Sequence, residues 1–322
     1  MVTGGAGYLG STLVGKLVNE GYSVRVLDFL MFGRKSLDTF RKRDNFELVV
    51  GDIRDKSKVK RSLENVWAVC HLASLIGEPA CADNPKKSIE INLNATQLLV
   101  SLVKKYKIER FIFPSTCSIY GNTDRVVDES FRVKPISLYA ETKRKAERVI
   151  LRAASAEFCP IIFRLGTCFG LSPKMNFNLL INQMTRDLAL GKRFEIYKPY
   201  GWRPFIHVED VAVCFINILS ERKDKVCGEV FNLVGENLRR IDVVNIFQKH
   251  FPKGEIMIVE SNKDTTKRDY KVSSKKIRQR LGYTFKRSVD KEILVMKNAF
   301  KQGIFKNPYH WKYNTWVKES ML

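Results

Sequence analysis

The chain has 322 residues, of which 44% are hydrophobic, and a formal net charge of +22, so it is long enough to bury a large core in one large or two fused domains. No apolar run approaches the roughly 20 residues that span a bilayer, and the start has no signal-type apolar segment, so we expect no membrane partner. The basic residues form no discrete arm, so we expect no nucleic-acid partner either. Seven cysteines with no Cys-x-x-Cys pair indicate neither a zinc site nor a disulfide framework, which favours the cytoplasm.

A glycine-rich loop opens the chain. Its glycines follow a Gly-x-x-Gly-x-x-Gly spacing, which permits a tight turn, close approach of a phosphate and close packing of the next helix. The predicted cofactor contacts in this loop are Gly4, Gly7, Tyr8, Leu9 and Gly10. Because only Met1 and Val2 precede the loop, we expect the numbering to begin inside the natural first strand.

Short apolar runs alternate with longer helical patterns through the first half. Strands are predicted at residues 24–28, 46–50, 68–72, 111–114 and 161–165, and helices at 11–19, 56–64 and 91–106. This alternation predicts an α/β fold, a Rossmann-type doubly wound parallel sheet with a smaller mixed α/β substrate-binding region. We place the cofactor-binding domain at 1–165 and the substrate-binding region at 166–322, with part of 205–235 returning to the first domain.

Asp28 ends the second predicted strand, about twenty residues after the glycine loop. A carboxylate there accepts hydrogen bonds from the adenosine ribose and repels a 2′-phosphate, which favours NAD over NADP, although Arg34 and Lys35 leave NADP open. The ends of the third and fourth strands add the candidate contacts Asp52, Ile53, Leu72, Ala73 and Ser74. For Asp52 and Ser74, a role in a turn or helix cap is the alternative.

Tyr139 and Lys143 stand four residues apart, on one face of a predicted helix. A phenol beside an ammonium is a plausible base for hydride-transfer chemistry, because the cation favours the phenolate. Upstream, the segment 115–121 (Ser-Thr-Cys-Ser-Ile-Tyr-Gly) closes an apolar strand with hydroxyl groups. A surface helix pair is the alternative reading of the tyrosine and lysine.

These motifs together resemble the extended short-chain dehydrogenase/reductases, in their nucleotide-sugar epimerase/dehydratase group. The resemblance rests on the glycine loop, Asp52-Ile53, the segment His71-Leu72-Ala73-Ser74, the 115–121 segment, the Tyr139/Lys143 pair and the run Arg-Pro-Phe-Ile-His-Val-Glu-Asp at 203–210. It covers nearly the whole chain, and the motifs occur in the family's order.

The resemblance implies a catalytic set of Thr116, Tyr139 and Lys143. The tyrosine would take a proton from a sugar hydroxyl while the adjacent carbon gives hydride to the nicotinamide, and the lysine would also hold the nicotinamide ribose. Thr116 would hydrogen-bond the reacting oxygen and align it, or serve only as a strand-end hydroxyl. In the second half, the resemblance implies substrate contacts by Thr167, Asn178, Leu179, Arg203 and Arg268, with the two arginines clamping a diphosphate.

Two positions depart from part of the family. Dehydratases have an Asp-Glu pair after the threonine, and decarboxylases usually have a glutamate at the second position, where this chain has Cys117 and Ser118. Cys117 as a nucleophile lacks an evident paired base, so packing is its expected role. Many epimerases have asparagine near Thr167, which leaves a nucleotide contact there open.

We therefore predict an NAD-dependent nucleotide-sugar epimerase that inverts C4 through a transient 4-keto sugar. The substrate is a nucleotide-diphosphate sugar, and the helices over 91–106 and 139–153 resemble those that pair in family homodimers. Alternatives within the family are a dehydrogenase, a reductase or a dehydratase. From another class, a non-catalytic NAD- or RNA-binding protein would explain the positive charge.

Overall fold

The computed structural model describes residues 1–259 and 269–314. In chain order its strands are β1 (Val2–Thr3), β2 (Val24–Asp28), β3 (Phe46–Val50), β4 (Ala68–His71), β5 (Arg110–Thr116), β6 (Val126–Val127), β7 (Cys159–Leu165), β8 (Thr167–Phe169), β9 (Phe194–Tyr197), β10 (Trp202–His207), β11 (Val230–Leu233), β12 (Glu236–Arg239), β13 (Ile256–Val259) and β14 (Lys271–Val272).

The α-helices are α1 (Tyr8–Asn19), α2 (Lys56–Ser62), α3 (Glu78–Asp83), α4 (Pro85–Ile89), α5 (Ala95–Lys105), α6 (Leu138–Arg152), α7 (Leu180–Ala189), α8 (Val208–Ser220), α9 (Lys223–Val226), α10 (Arg240–His250), α11 (Lys275–Leu281) and α12 (Val289–Lys301). A π-helical turn, Glu90–Asn94, precedes α5, so the helix predicted at 91–106 is built from two pieces.

A seven-stranded sheet in the order β11-β7-β5-β4-β1-β2-β3 organises the molecule. Every neighbouring pair in it is parallel, and the short β1 places Val2 between Val26 and Cys70. The central strands β5 and β7 are buried almost throughout because helices cover both faces of the sheet. The predicted Rossmann-type α/β class is confirmed.

Helices pack on the two faces of this sheet with separate cores. On one face, α1 and α8 bury residues such as Leu13, Val14 and Phe215. On the other, α5 and α6 bury residues such as Leu99 and Ile150. The strand ends between these layers, at the carboxyl edge of the sheet, are where a doubly wound fold places its ligands.

The second half builds a smaller mixed region. It contains the sheet β12-β10-β8 and the pair β13-β9, packed with α7, α10 and α12 around a core that includes Phe177, Met184 and Phe247. β11 leaves this region and pairs with β7 at the edge of the large sheet. The domain boundaries 1–165 and 166–322, with part of 205–235 returning, remain our proposal.

Among the described residues, no helix combines the length and the apolar character needed to cross a membrane.

Candidate active site

A cavity of about 1050 Å³ lies at the carboxyl edge of the large sheet and is lined by both halves of the chain. Every predicted site residue except Arg268 lines it: Gly4, Gly7, Tyr8, Leu9, Gly10, Asp28, Asp52, Ile53, Leu72, Ala73, Ser74, Thr116, Tyr139, Lys143, Thr167, Asn178, Leu179 and Arg203. Arg268 lies outside the described residues. The tertiary fold thus gathers residues that are far apart in the sequence into one enclosure.

The glycine loop passes directly under the start of α1. Gly4 has a φ of +71°, and a Cβ on it would lie 2.7 Å from the Ala73 nitrogen. A Cβ on Gly10 would lie 2.1 Å from the Gly4 carbonyl oxygen. Because Gly7 caps α1 without a side-chain hydrogen bond, the first amides of the helix face the cavity as donors for an anion.

Asp28 ends β2 beside this loop. Its Oδ2 accepts a hydrogen bond from the Ala6 amide at 2.9 Å, and its Oδ1 accepts one from the Leu30 amide at 2.7 Å. Burial raises the pKa of Asp28, and these two amides and the Lys174 ammonium act in the opposite direction. The carboxylate is therefore held in one orientation, with lone pairs left for a ribose hydroxyl.

Asp52 and Ser74 line the cavity but also make local structural bonds. Asp52 accepts from the Arg54 amide at 2.8 Å and from the Arg54 guanidinium at 2.7 Å. Ser74 donates to the Asn92 side chain at 2.8 Å. Both side chains therefore already anchor a turn or a loop. Buried Ile53 offers apolar surface, whereas the Leu72 and Ala73 amides already donate to the Thr3 carbonyl and hydroxyl.

Tyr139, Lys143 and Thr116 all line the cavity, where β5 ends and α6 begins. α6 begins after Ser137, whose hydroxyl accepts a hydrogen bond from the Ala140 amide, and this places the tyrosine in the first turn. The Lys143 ammonium donates to the Pro114 carbonyl at 2.9 Å and lies 4.3 Å from the centre of the Phe113 ring. Burial lowers the pKa of Lys143 to about 7. Thr116, at the end of β5, accepts from the Ser118 amide at 3.1 Å.

Cys117 turns away from this site. Its thiol is buried, donates to the Arg164 carbonyl at 3.3 Å, and does not line the cavity. Burial raises the pKa of Cys117 well above its ordinary value, which disfavours the nucleophilic thiolate. Ser118 does line the cavity, but its hydroxyl is no substitute for a carboxylate as an acid or base near neutral pH.

The far end of the cavity is formed by the second half. Arg203 is buried on β10, where its guanidinium donates to the Trp202 carbonyl at 3.0 Å, and Thr167 lies opposite on β8, paired with Phe205. Leu179 caps α7 without a side-chain hydrogen bond, so the first amides of α7 have no side-chain partner at that cap. Asn178 is exposed at the same turn. The positive charge of Arg203 and the amides at the start of a helix suit a diphosphate.

Several polar residues that line the cavity were not predicted from the sequence, and three buried ones stand out. Lys174 and Asn176 lie in the loop between β8 and α7, and Arg240 begins α10, where its guanidinium donates to the Tyr197 carbonyl at 2.5 Å. All three are buried. No motif surrounds these residues. A polar residue in a loop or at a helix start is too common in this chain to indicate a site.

The residues present fit a dinucleotide. The glycine positions leave a cradle that any Cβ would fill, the first turn of α1 offers amides for a pyrophosphate, and Asp28 stands where the adenosine ribose would lie. Tyr139 and Lys143 line the same cavity, where β5 ends and α6 begins. Within the described ranges, no group of three or more histidine, cysteine or acidic residues is placed to hold a metal ion.

Comparisons with known proteins match this chain to a family of NAD-dependent epimerases and dehydratases. A model of the NAD dependent epimerase/dehydratase family matches residues 1–234. A putative UDP-glucose 4-epimerase of Methanocaldococcus jannaschii is 34% identical over 234 residues, covering 70% of this chain and 75% of that protein. A dTDP-D-glucose 4,6-dehydratase of Homo sapiens is 28% identical over 242 residues, covering 72% and 68%.

Solved structures agree with this relationship. MoeE5 in complex with UDP-glucose and NAD matches with a TM-score of 0.82 and 25% identity, covering 94% of this chain and 99% of that chain. Because the relatives include both epimerases and dehydratases, similarity alone does not choose between the two activities.

Proposed function

The chain belongs to the NAD-dependent epimerase/dehydratase family, and from that premise we propose that it is a nucleotide-sugar 4-epimerase. This proposal rests on one observation about the cavity lining. Thr116, Tyr139 and Lys143 all line the cavity, and the two residues that follow Thr116, Cys117 and Ser118, are not carboxylates. Elimination of water needs an acid and a base at those positions, whereas inversion at C4 does not.

The chain's own residues have separate tasks in this proposal. Tyr139 takes the proton from the 4-hydroxyl and later returns it, Thr116 hydrogen-bonds the same oxygen, and the Lys143 ammonium favours the phenolate. Bound NAD supplies the reversible acceptor for the hydride at C4. Net redox is zero, so the protein needs no added oxidant and works with a retained cofactor.

The diphosphate of the substrate is proposed to lie at the opposite end. Arg203 supplies a permanently charged, planar guanidinium, and the first turn of α7 supplies amide donors. Thr167, Asn178 and Leu179 remain proposed substrate contacts in the same wall, and Arg268 remains a sequence-based proposal.

A panel experiment tests the function. Full-length protein is incubated with UDP-, dTDP-, GDP- and CDP-sugars and followed by proton NMR, and the nicotinamide released on denaturation is identified. We expect one sugar to form its C4 epimer without added NAD. Stoichiometric NADH would instead identify a dehydrogenase, and a 4-keto-6-deoxy sugar would identify a dehydratase and overturn the proposal.

Tyr139→Phe tests the assignment of the base. Removing the phenolic hydroxyl leaves no group to move the proton, so we expect kcat to fall at least about 100-fold while NAD stays bound. Tyr106→Phe is the matched control, because Tyr106 is exposed at the end of α5 and does not line the cavity. Equal activity of the two variants would contradict the assignment.

We also propose a homodimer in the cytoplasm. α5 and α6 lie side by side on one face of the sheet, and their outward sides carry exposed residues such as Lys105, Glu141 and Arg148. All seven cysteines are free, which suits a reducing compartment. Light scattering at micromolar concentration tests the oligomer, and a monomer mass would contradict it.

A further inference from the structure

Lys174 belongs to the second half of the chain but lies at the cofactor end of the cavity. Its amide donates to the Ser11 hydroxyl at 3.2 Å, and the neighbouring Ser172 hydroxyl donates to the Tyr8 carbonyl at 2.6 Å. These bonds fasten the loop between β8 and α7 onto the first turn of α1. The lysine side chain is only 7% exposed and lines the same cavity as Asp28.

The Lys174 ammonium sits against the residues that follow β2. Its Nζ lies 4.2 Å from the centre of the Phe32 ring and donates to the Asn314 carbonyl. The ammonium and the Asp28 carboxylate attract each other, although within residues 1–259 and 269–314 no carboxylate lies within salt-bridge distance of this lysine. An ammonium has three donor hydrogens, so one carbonyl and one ring leave it with bonding capacity.

The buried Lys174 ammonium has lost most of its hydration, and a ligand that accepts a hydrogen bond from it would offset that loss. Burial lowers the pKa of Lys174 to about 8, with Asp28 acting to raise it, so the group is mostly cationic at neutral pH. Asp28 is already fixed by the Ala6 and Leu30 amides and has acceptor capacity left. A ribose with two vicinal hydroxyls can donate to the carboxylate and accept from the ammonium at once.

We propose that Lys174 is a direct ligand of the adenosine ribose of NAD, donating a hydrogen bond to the ribose that Asp28 also binds. The cofactor is then clasped by both halves of the chain, not by the Rossmann half alone. The C-terminal segment supports the lysine, since the Trp311 ring lies 6.1 Å from the Phe32 ring and Asn314 accepts from the ammonium. This clasp slows release of the adenosine end and suits a retained cofactor.

Binding measurements on the full-length protein, freed of bound nucleotide, test the proposal. The ligands are NADH, ADP-ribose and reduced nicotinamide mononucleotide, which lacks the adenosine. We expect Lys174→Gln to weaken NADH and ADP-ribose about 10- to 100-fold, the value of a charge-assisted hydrogen bond, and to leave the mononucleotide unchanged. Lys174→Arg, which keeps the charge and donors, should recover part of the loss.

Lys192→Gln is the matched control. Lys192 also places its ammonium over an aromatic ring, 3.9 Å from the centre of Tyr309, but it does not line the cavity. An unchanged ADP-ribose affinity in Lys174→Gln, or equal weakening of the mononucleotide, would overturn the proposal. If Lys174→Gln unfolds, Lys174→Arg and the mononucleotide comparison still decide it. The readout is cofactor binding, so it is independent of which sugar reaction the protein performs.

Discussion

At the scale of single residues, the surroundings of Lys143 control whether its side chain is charged. The ammonium is buried with one carbonyl acceptor and the face of Phe113, and burial brings its pKa to about 7. Near neutral pH the ligand-free protein therefore holds a mixture of charged and neutral lysine. In the proposed mechanism only the cation favours the Tyr139 phenolate, so we expect ligands that stabilise the cation to prepare Tyr139 for proton transfer.

The buried lysine makes stability depend on pH in a defined direction. In the unfolded chain a lysine holds its proton up to about pH 10.4, whereas the folded protein releases it near pH 7. Between these values the unfolded state binds more protons, so the free energy of unfolding of the wild type rises with pH relative to that of Lys143→Met. The expected gain accumulates from pH 7 towards pH 10.

Urea denaturation of the cofactor-free wild type and Lys143→Met at pH 6 and pH 9.5 measures this difference. The methionine variant keeps the volume of the side chain and removes the titrating group, so subtraction cancels the other ionisable residues. A difference between the two proteins that does not change with pH would refute the assignment of a buried, titrating Lys143.

At the scale of elements, a buried ion pair sets the position of α6. Glu147, one turn after Lys143, accepts from Arg164 of β7 at 3.1 Å and 3.0 Å. The same guanidinium donates to the Tyr120 hydroxyl at 2.9 Å. The helix that carries Tyr139 and Lys143 is therefore bonded to β7 and, through Arg164, to the segment that follows Thr116.

Glu147→Gln should destabilise the fold strongly. The change leaves the buried Arg164 without its counter-charge, and removal of one partner of such a pair costs about 3 to 5 kcal/mol in the free energy of unfolding. Asp224→Asn is the control, because the Arg222–Asp224 pair is mostly exposed and should change stability by less than about 1 kcal/mol. Chemical denaturation distinguishes the two, and equal small effects would show that the buried pair does not hold α6.

At the scale of the whole molecule, we expect the net charge of +22 to attract the polyanionic substrate proposed above. A field of this sign raises the encounter rate with a nucleotide diphosphate, and salt screens it. We expect kcat/KM to fall about tenfold between roughly 10 mM and 300 mM salt, while kcat stays constant. A neutral osmolyte at the same osmolality serves as the control, and a salt-independent kcat/KM would remove steering as a role for the charge.

Some features of the site follow from short stretches of sequence, and others depend on how the whole chain folds. The glycine loop, Asp28 and the Tyr139/Lys143 pair were predictable because each depends on a fixed spacing within one turn or one helix, and the cavity brings them together. Asp52 was less predictable, since the sequence allowed an adenine contact or a turn. The structure gives its carboxylate a turn partner in Arg54, through the amide and the guanidinium of that residue.

Strand and helix periods and loop chemistry are local properties of the chain, so the sequence was sufficient to predict the fold class and the cofactor, both of which are confirmed. It also led us to propose Thr116, Tyr139 and Lys143 as the reacting residues. The tertiary structure is what brings Lys174 and Asp28, and also Arg240 and Arg203, into the lining of one cavity. The members of each pair are far apart in the sequence, and no fixed spacing relates them. Their positions in the cavity depend on how the second half packs across the edge of the sheet. Burial then gave Lys143 and Lys174 their altered pKa values, which no sequence pattern contains.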